Sequence, residues 1–291
     1  MGKLYDKLID TRSKPIKDVP TFAASQEIYT FMNVQGRTMS TSHYVKLYNE
    51  DQREFLKLNK KLADLMGISE HDTIADVGCG TGILGRAIAD KVKKYVGIDL
   101  SIEALESFKN ETLTTANIYL INCDATCRWP FDVKFNKVFF SINTIRQFTP
   151  ASTQINLLKD ISHNYLTPNA TIAIIFNNYF KWTNLNDVLS LEHENTILVD
   201  NVTWKVRGKY FSDQTNTYAY EIGDNEVNCV LYFESNSIRV MHKFLLTWKP
   251  LDFYIGALNE MGFLCSVYGD FSGSAYNPNL SDFAIIKAVR G

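Results

Sequence analysis

In this 291-residue chain the decisive stretch is Ile74-Ala75-Asp76-Val77-Gly78-Cys79-Gly80-Thr81-Gly82-Ile83-Leu84-Gly85, two apolar runs joined by a turn with glycine at every second position. The first run, Ile74 to Val77, reads as a short buried strand. The second opens a helix over Ile83 to Val92, with Ile83, Leu84, Ala87 and Ile88 on its apolar face. Glycines between a strand and a helix permit a tight turn and let a ligand approach backbone that has no Cβ. The helix start adds unpaired N–H groups and positive potential.

The same alternation continues on both sides. Upstream, Phe55, Leu58, Leu62, Leu65 and Met66 form a helical stripe that Gly67 is placed to end. Downstream, strands are expected at Tyr95 to Ile98, Ile118 to Ile121, Val138 to Phe140 and Thr171 to Phe176. Helices are expected at Ile102 to Lys109 and over a stretch carrying Ile155, Leu158, Ile161 and Leu166. Strands alternating with helices imply a mostly parallel sheet covered on both faces. The pattern then switches to period 2. Residues 202–248 hold four alternating runs, with turn signals at Gly223-Asp224-Asn225 and Ser235-Asn236-Ser237. They read as an antiparallel meander inserted after the fifth strand, to stiffen the chain, to make a homodimer contact or to cover a substrate. A helix near Leu251 to Met261 and strands near Phe263 to Tyr268 and Phe283 to Ala288 return to α/β. The first 50 residues look irregular and aromatic-rich, and suit a lid. The expected division is therefore 1–50 as lid or substrate segment, 51–176 with 250–291 as the main α/β domain, and 177–249 as the β insert.

Composition bounds the function. With 30 Lys+Arg against 32 Asp+Glu, the chain has no basic excess for general nucleic-acid binding. The five cysteines are scattered and odd in number, which suits a reducing compartment and not a disulfide framework. Neither an apolar leader nor an apolar run of spanning length is present, so a cytoplasmic protein without membrane spans is expected.

Gly80-Thr81-Gly82-Ile83-Leu84-Gly85 also satisfies the dinucleotide fingerprint. Asp76 argues against that ligand, because a carboxylate at the strand end repels a pyrophosphate. It suits S-adenosylmethionine (SAM), which carries an ammonium and a sulfonium and no phosphate. Asp99 ends the second strand, where a carboxylate can accept both ribose hydroxyls. Asp124 follows the third strand, in reach of an adenine amine. One acidic residue at a strand end is often a helix cap or turn former; three in succession beside a glycine turn point to an adenosine ligand.

These residues resemble class I SAM-dependent methyltransferases. The resemblance rests on DVGCGTG at 76–82, YVGIDLS at 95–101, NCDA at 122–125 and KVFFSIN at 137–143. It covers roughly residues 55–176 and 250–289. Where the family usually has Leu-x-Pro-Gly-Gly before strand five, this chain has Leu166-Thr167-Pro168-Asn169-Ala170, with Asn169 expected to take the left-handed turn. The resemblance implies a Rossmann-like seven-stranded sheet of order 3-2-1-4-5-7-6. It implies that Gly78, Cys79, Gly80 and Gly82 abut the cofactor, that Asp99 and Leu100 hold the ribose end, that Asp124 and Ala125 bracket adenine, and that Ser141 runs along the methionyl part. The insert and Tyr268-Gly269-Asp270-Phe271 are similar to small-molecule N-methyltransferases. Arg37 by its position suits the cofactor's carboxylate, and Tyr5 suits closure over it.

Methyl transfer needs in-line alignment, exclusion of water and, for some acceptors, a proton sink. Candidates for the acceptor side are Asn143 just past strand four, with Arg146 and Gln147 after it, and His242 and His43 as bases. His242, on the apolar side of a strand, reads equally as a hydrogen-bonded core residue, and His43 as an exposed loop residue. No Asn/Asp-Pro-Pro-Tyr, no Pro-Cys and no catechol-type acidic triplet occurs, so adenine-N6, cytosine-C5 and metal-dependent chemistries are disfavoured. The sequence thus points to a SAM-dependent methyltransferase, releasing S-adenosylhomocysteine (SAH) and acting on nitrogen or oxygen of a small metabolite. A peptide or protein acceptor, a non-catalytic SAM-binding protein and an NAD-dependent oxidoreductase are the alternatives.

Overall fold

The computed structural model describes residues 52–111, 117–129, 132–178 and 249–291, together with strands at 28–30 and between 195 and 247. In chain order the elements are β1 (Ile28–Thr30), α1 (Gln52–Leu65), β2 (Thr73–Val77), α2 (Ile83–Ile88), β3 (Lys94–Asp99), α3 (Ile102–Glu111), β4 (Ile118–Asn122), β5 (Phe135–Phe140), α4 (Ala151–Asn164), β6 (Leu166–Asn177), β7 (Asn195–Val199), β8 (Val202–Val206), β9 (Asn216–Ile222), β10 (Glu226–Ser235), β11 (Ile238–Thr247), α5 (Leu251–Glu260), β12 (Phe263–Tyr268) and β13 (Phe283–Arg290).

The main sheet runs β1-β4-β3-β2-β5-β6-β13-β12, with β13 antiparallel to both neighbours. Counted from β4, this is the expected 3-2-1-4-5-7-6. Its inner strands are buried on both faces, which is why they read as near-continuous apolar runs. Ala75, Val77, Val138, Phe140, Ile172 and Ile174 pack with Leu157, Leu158 and Ile161 of α4 and Leu258 of α5. Ile74, Tyr95, Phe139 and Ile175 pack with Leu62 and Met66 of α1, Leu84 and Ile88 of α2, and Phe108 of α3. Gly67, at φ 60°, ends the turn after α1 as its position predicted; Ile68 N–H donates back to Ala63 O at 2.9 Å.

Several expectations need correction. The first 50 residues are not wholly irregular: Ile28–Thr30 adds a parallel strand to the outer edge of β4. That edge would otherwise expose unpaired backbone groups. The helix after the glycine turn is shorter than its apolar pattern, giving way at Ala89–Lys91 to a 3-10 turn. Leu166 belongs to β6, not to the helix before it. Asn169 is not left-handed; Asn143 is the non-glycine residue with positive φ among the described residues. The Leu166–Ala170 segment instead stays in β6, where the β5 pairing jumps from Phe135↔Leu166 to Lys137↔Thr171 and Pro168 and Asn169 bulge to the exterior. The insert is not one meander. It holds a β7–β8 hairpin and a separate three-stranded antiparallel sheet, β9-β10-β11. No helix among the described residues is long and apolar enough to cross a membrane.

Candidate cofactor site

Parallel strands that end side by side place their following loops on one sheet edge. The carboxyl ends of β4, β3, β2 and β5 are neighbours, so Asp124, Asp99, the glycine turn and Ser141 share that edge. The turn is held from below: Ile98 O accepts from Gly78 N–H at 2.7 Å and from Cys79 N–H at 3.1 Å.

The three alternate glycines have left-handed φ values of 68°, 55° and 77°, but they answer to different neighbours. A Cβ on Gly78 would lie 2.3 Å from Thr144 Cγ2, and on Gly82 2.1 Å from the Phe108 ring. A Cβ on Gly80 would meet nothing within 4 Å. Only Gly80 therefore faces open space in which a ligand could lie against bare backbone. Gly85 is also a packing glycine, since its Cβ would collide with Phe108 and Tyr95. Close helix-to-sheet packing is also the role of the third glycine in a dinucleotide fingerprint, so Gly85 does not separate the two cofactors.

Asp99 is the hub. Its Oδ2 accepts from Gly80 N–H at 2.7 Å and its Oδ1 from Ser101 N–H at 2.8 Å. Burial pushes its carboxyl above the usual range, and these backbone donors pull it back. Ser101 Oγ in turn accepts from Ala104 N–H at 3.1 Å at the start of α3. Asn122 joins the edges by donating to Asp99 O at 3.0 Å and Leu100 O at 2.9 Å. Sequence reading had not singled out Asn122; its place at the end of β4, directly before Cys123-Asp124, was the available signal. Asp124 forms a local turn in which its Oδ1 accepts from Thr126 N–H at 3.0 Å and Thr126 Oγ at 2.7 Å. Ala125 is buried and its carbonyl accepts from the Trp129 indole at 3.1 Å.

Asp76 and Cys79 lie beneath the turn and not on its surface. Asp76 accepts from Tyr95 OH at 2.5 Å and from Ser141 Oγ at 3.3 Å. Burial pushes its carboxyl up to about 7, the two hydroxyl donors opposing that rise. The Cys79 side chain is tucked against Gly97, whose missing Cβ makes room for it. Burial, then Asp99 and Asp76, push its thiol well above the ordinary value, so it is no nucleophile. Tyr95 had no sequence signal as a site residue, because a Tyr at the start of an apolar strand reads as core.

On the acceptor side, Asn143 starts the 3-10 turn Thr144–Gln147 in left-handed conformation, φ 59°. Its Oδ1 accepts from the Arg146 guanidinium at 3.1 Å and from Asn177 N–H at 3.2 Å. Both partners can only donate, so the amide orientation is unambiguous. The Asn143 amide oxygen is thus engaged in holding the turn after β5. Arg146, which the sequence left between substrate contact and solvent, is only 3% exposed. It lies 4.4 Å from the Phe176 ring centroid and donates to Asn177 O at 3.3 Å. Gln147 is exposed. Tyr5, Arg37 and His43 lie outside the described residues, as does the His242 side chain; the backbone of His242 pairs with Leu231 in the β10–β11 ladder.

Residues 74–168 match the family model described as a methyltransferase domain. That third of the chain is therefore similar to a methyltransferase domain. Similar solved structures include a SAM-dependent methyltransferase from Clostridium acetobutylicum, 15% identical, covering 86% of this chain and 98% of that one with a TM-score of 0.63. Another is an amino pentose methyltransferase from Micromonospora echinaspora, 14% identical, covering 88% and 99% with a TM-score of 0.57. At such identities the domain shares their fold. Among curated proteins, an uncharacterized RNA methyltransferase of Clostridium tetani is 39% identical over 69 residues, 23% of this chain and 14% of that protein. A mouse tRNA (uracil-5-)-methyltransferase homolog is 52% identical over 42 residues, 14% of this chain and 7% of that protein. The chain thus spans a small part of the curated relatives it matches.

Proposed function

We propose that this protein is a methyltransferase that binds SAM across the glycine turn and transfers the methyl group to nitrogen or oxygen of a small metabolite. The observation that carries it is the combination at one sheet edge of an open space over Gly80 with a half-buried Asp99 carboxylate already aimed at that turn. Bound SAM supplies an activated methyl group on a sulfonium. The chain's own residues bind and orient it: Asp99 exchanges its Gly80 contact for ribose hydroxyls, Asp124 and Ala125 flank adenine, and Ser141 runs along the methionyl part. Arg37 and Tyr5 are proposed to close the cofactor's far end.

The insert supports the small-molecule reading by its place. It leaves the sheet at the end of β6, on the same edge as the glycine turn, and β11 returns to pack against the 3-10 turn after β5. Thr247 at the end of β11 is buried, and its carbonyl accepts from Gln154 at 3.4 Å. We take 177–249 and 1–50 as the cover of the acceptor and 51–176 with 250–291 as the cofactor domain, with His242 and His43 as the bases to test. The similarity to an amino pentose methyltransferase and to a sugar N-methyltransferase of Streptoalloteichus favours an amine acceptor. The RNA methyltransferase segments are short, and the net charge of -2 disfavours a polyanionic acceptor.

Calorimetry with SAM, SAH and NAD tests the cofactor. SAM and SAH should bind and NAD should not. Asp99→Ala removes a charged acceptor worth about 1.5–3 kcal/mol per hydrogen bond, so SAM affinity should fall at least about tenfold. Binding of NAD in place of SAM, or full SAM affinity in that variant, refutes the assignment. Radiolabelled methyl transfer to amino sugars, amino acids and peptides then distinguishes the acceptor classes.

A further inference from the structure

Asp76 is 1% exposed, yet the partners of its carboxylate among the described residues are two neutral hydroxyls, Tyr95 OH at 2.5 Å and Ser141 Oγ at 3.3 Å. Among the described residues, the charged and titratable groups around it offer no compensation. Asp99, at the end of β3, adds a second negative charge nearby. The Cys79 thiol and the Tyr95 phenol are both held neutral, their ionisation pushed well up by burial. Arg86 of α2 acts on Tyr95, but it is paired with Glu111 at 3.6 Å and donates to Gly82 O at 3.4 Å. An ionised carboxylate buried this way is costly without a cation. Its carboxyl accordingly holds a proton up to about pH 7.

The proposed cofactor supplies the missing charge. SAM brings a sulfonium and an ammonium to the edge formed by the glycine turn and Ser141. The product SAH keeps the ammonium and loses the sulfonium charge. We propose that Asp76 is a proton-exchanging counter-charge beneath the cofactor: it is protonated while the site lacks a cation, gives its proton to solvent when SAM binds, and takes one back from solvent once transfer has moved the sulfonium charge onto the acceptor and that charge has left as a proton or with the product. This rests on the SAM reading above. Asp76 acts through Ser141 and the turn, so it is a positioning and charge-balancing residue and not a catalytic one. The exchange favours SAM over SAH, and so favours product release, increasingly as pH rises towards the Asp76 midpoint and fully above it.

The sign follows from linkage. Below the Asp76 midpoint, SAM must displace a proton, so affinity rises with pH and levels off above it. Calorimetry of SAM binding to the full chain, at pH 6 to 8.5 in buffers of different ionisation heat, reads both affinity and proton count. The amine of SAM titrates alike in all variants, so differences between proteins isolate Asp76. Relative to Asp76→Asn, wild type should release about half a proton more at pH 7 and gain about tenfold more affinity between pH 6 and pH 8. With SAH the excess should be smaller. Tyr95→Phe removes a donor to the ionised form and should move the midpoint upward, which keeps the test alive if Asp76→Asn does not fold. Identical pH profiles and proton counts in wild type and Asp76→Asn, or an unmoved midpoint in Tyr95→Phe, overturn the counter-charge while leaving SAM binding intact. No SAM binding by wild type at any pH overturns the cofactor reading itself.

Discussion

At Gly82 a methyl group would have to share space with the Phe108 ring and also adopt a left-handed backbone, whereas at Gly80 it would face only the backbone penalty. The left-handed conformation costs a non-glycine residue about 1–2 kcal/mol, and overpacking a core adds about 1–3 kcal/mol. Gly82→Ala should therefore lower unfolding stability by roughly 2–5 kcal/mol in urea titrations, and Gly80→Ala by only about 1–2 kcal/mol. Binding should rank the other way once the folded fraction is corrected for, with SAM affinity falling more in Gly80→Ala. Equal losses of stability would show that the two glycines do the same job. The same residue-scale logic explains why the motif could be recognised in sequence but not apportioned. The spacing 78, 80, 82 is visible in the chain, but Thr144 and Phe108, which dictate two of the three positions, lie about 65 and 25 residues away.

At the scale of elements, the strand ends carry the candidate site, and strand ends are what an apolar pattern locates. Asp99 and Asp124 stood out as candidates because one ends a buried strand and the other comes two residues after one. Tyr95 did not, because it sits inside such a strand, and its hydroxyl meets Asp76 only through pairing of β2 with β3. The 3-10 turn after β5 was illegible for a similar reason. Arg146 is polar in sequence, and only the packing of Phe176 and Asn143 around it shows a buried guanidinium. The insert's alternation was legible, but alternation does not say which runs pair, so a hairpin and a three-stranded sheet were read as one meander. The turn after β5 also yields a prediction. Asn143→Ala leaves the Arg146 and Asn177 donors buried without their oxygen and keeps the left-handed strain. It should cost about 2–4 kcal/mol in denaturant titration. Asn143→Asp keeps both hydrogen bonds through its carboxylate oxygen and should unfold within about 1 kcal/mol of wild type. Equal stability of all three proteins would mean that Asn143 does not hold the turn.

At the scale of the whole molecule, buried carboxylates set how stability responds to pH. In the unfolded chain Asp76 gives up its proton near 3.8, whereas the folded protein holds it to about 7. Between these values the native state binds more protons than the unfolded state, so stability falls as pH rises. Asp99 shifts in the same direction by burial. Asp270 shifts the opposite way through its Ser274 contacts, but it is mostly solvated and adds little. The ligand-free protein should therefore be more stable at pH 5 than at pH 7.5, the reverse of a protein held by salt-bridged carboxylates. Asp76→Asn keeps an oxygen for Tyr95 and removes the charge. Its stability should equal wild type or lie slightly below it at pH 5 and exceed it at pH 8. Over pH 5 to 6.5 its curve should be flatter by about 1 kcal/mol per pH unit. Urea unfolding at four pH values measures both slopes. Parallel curves for the two proteins would show that Asp76 ionises in the fold as it does in the open chain, and the energetic premise of a counter-charge supplied by the cofactor would fail with it.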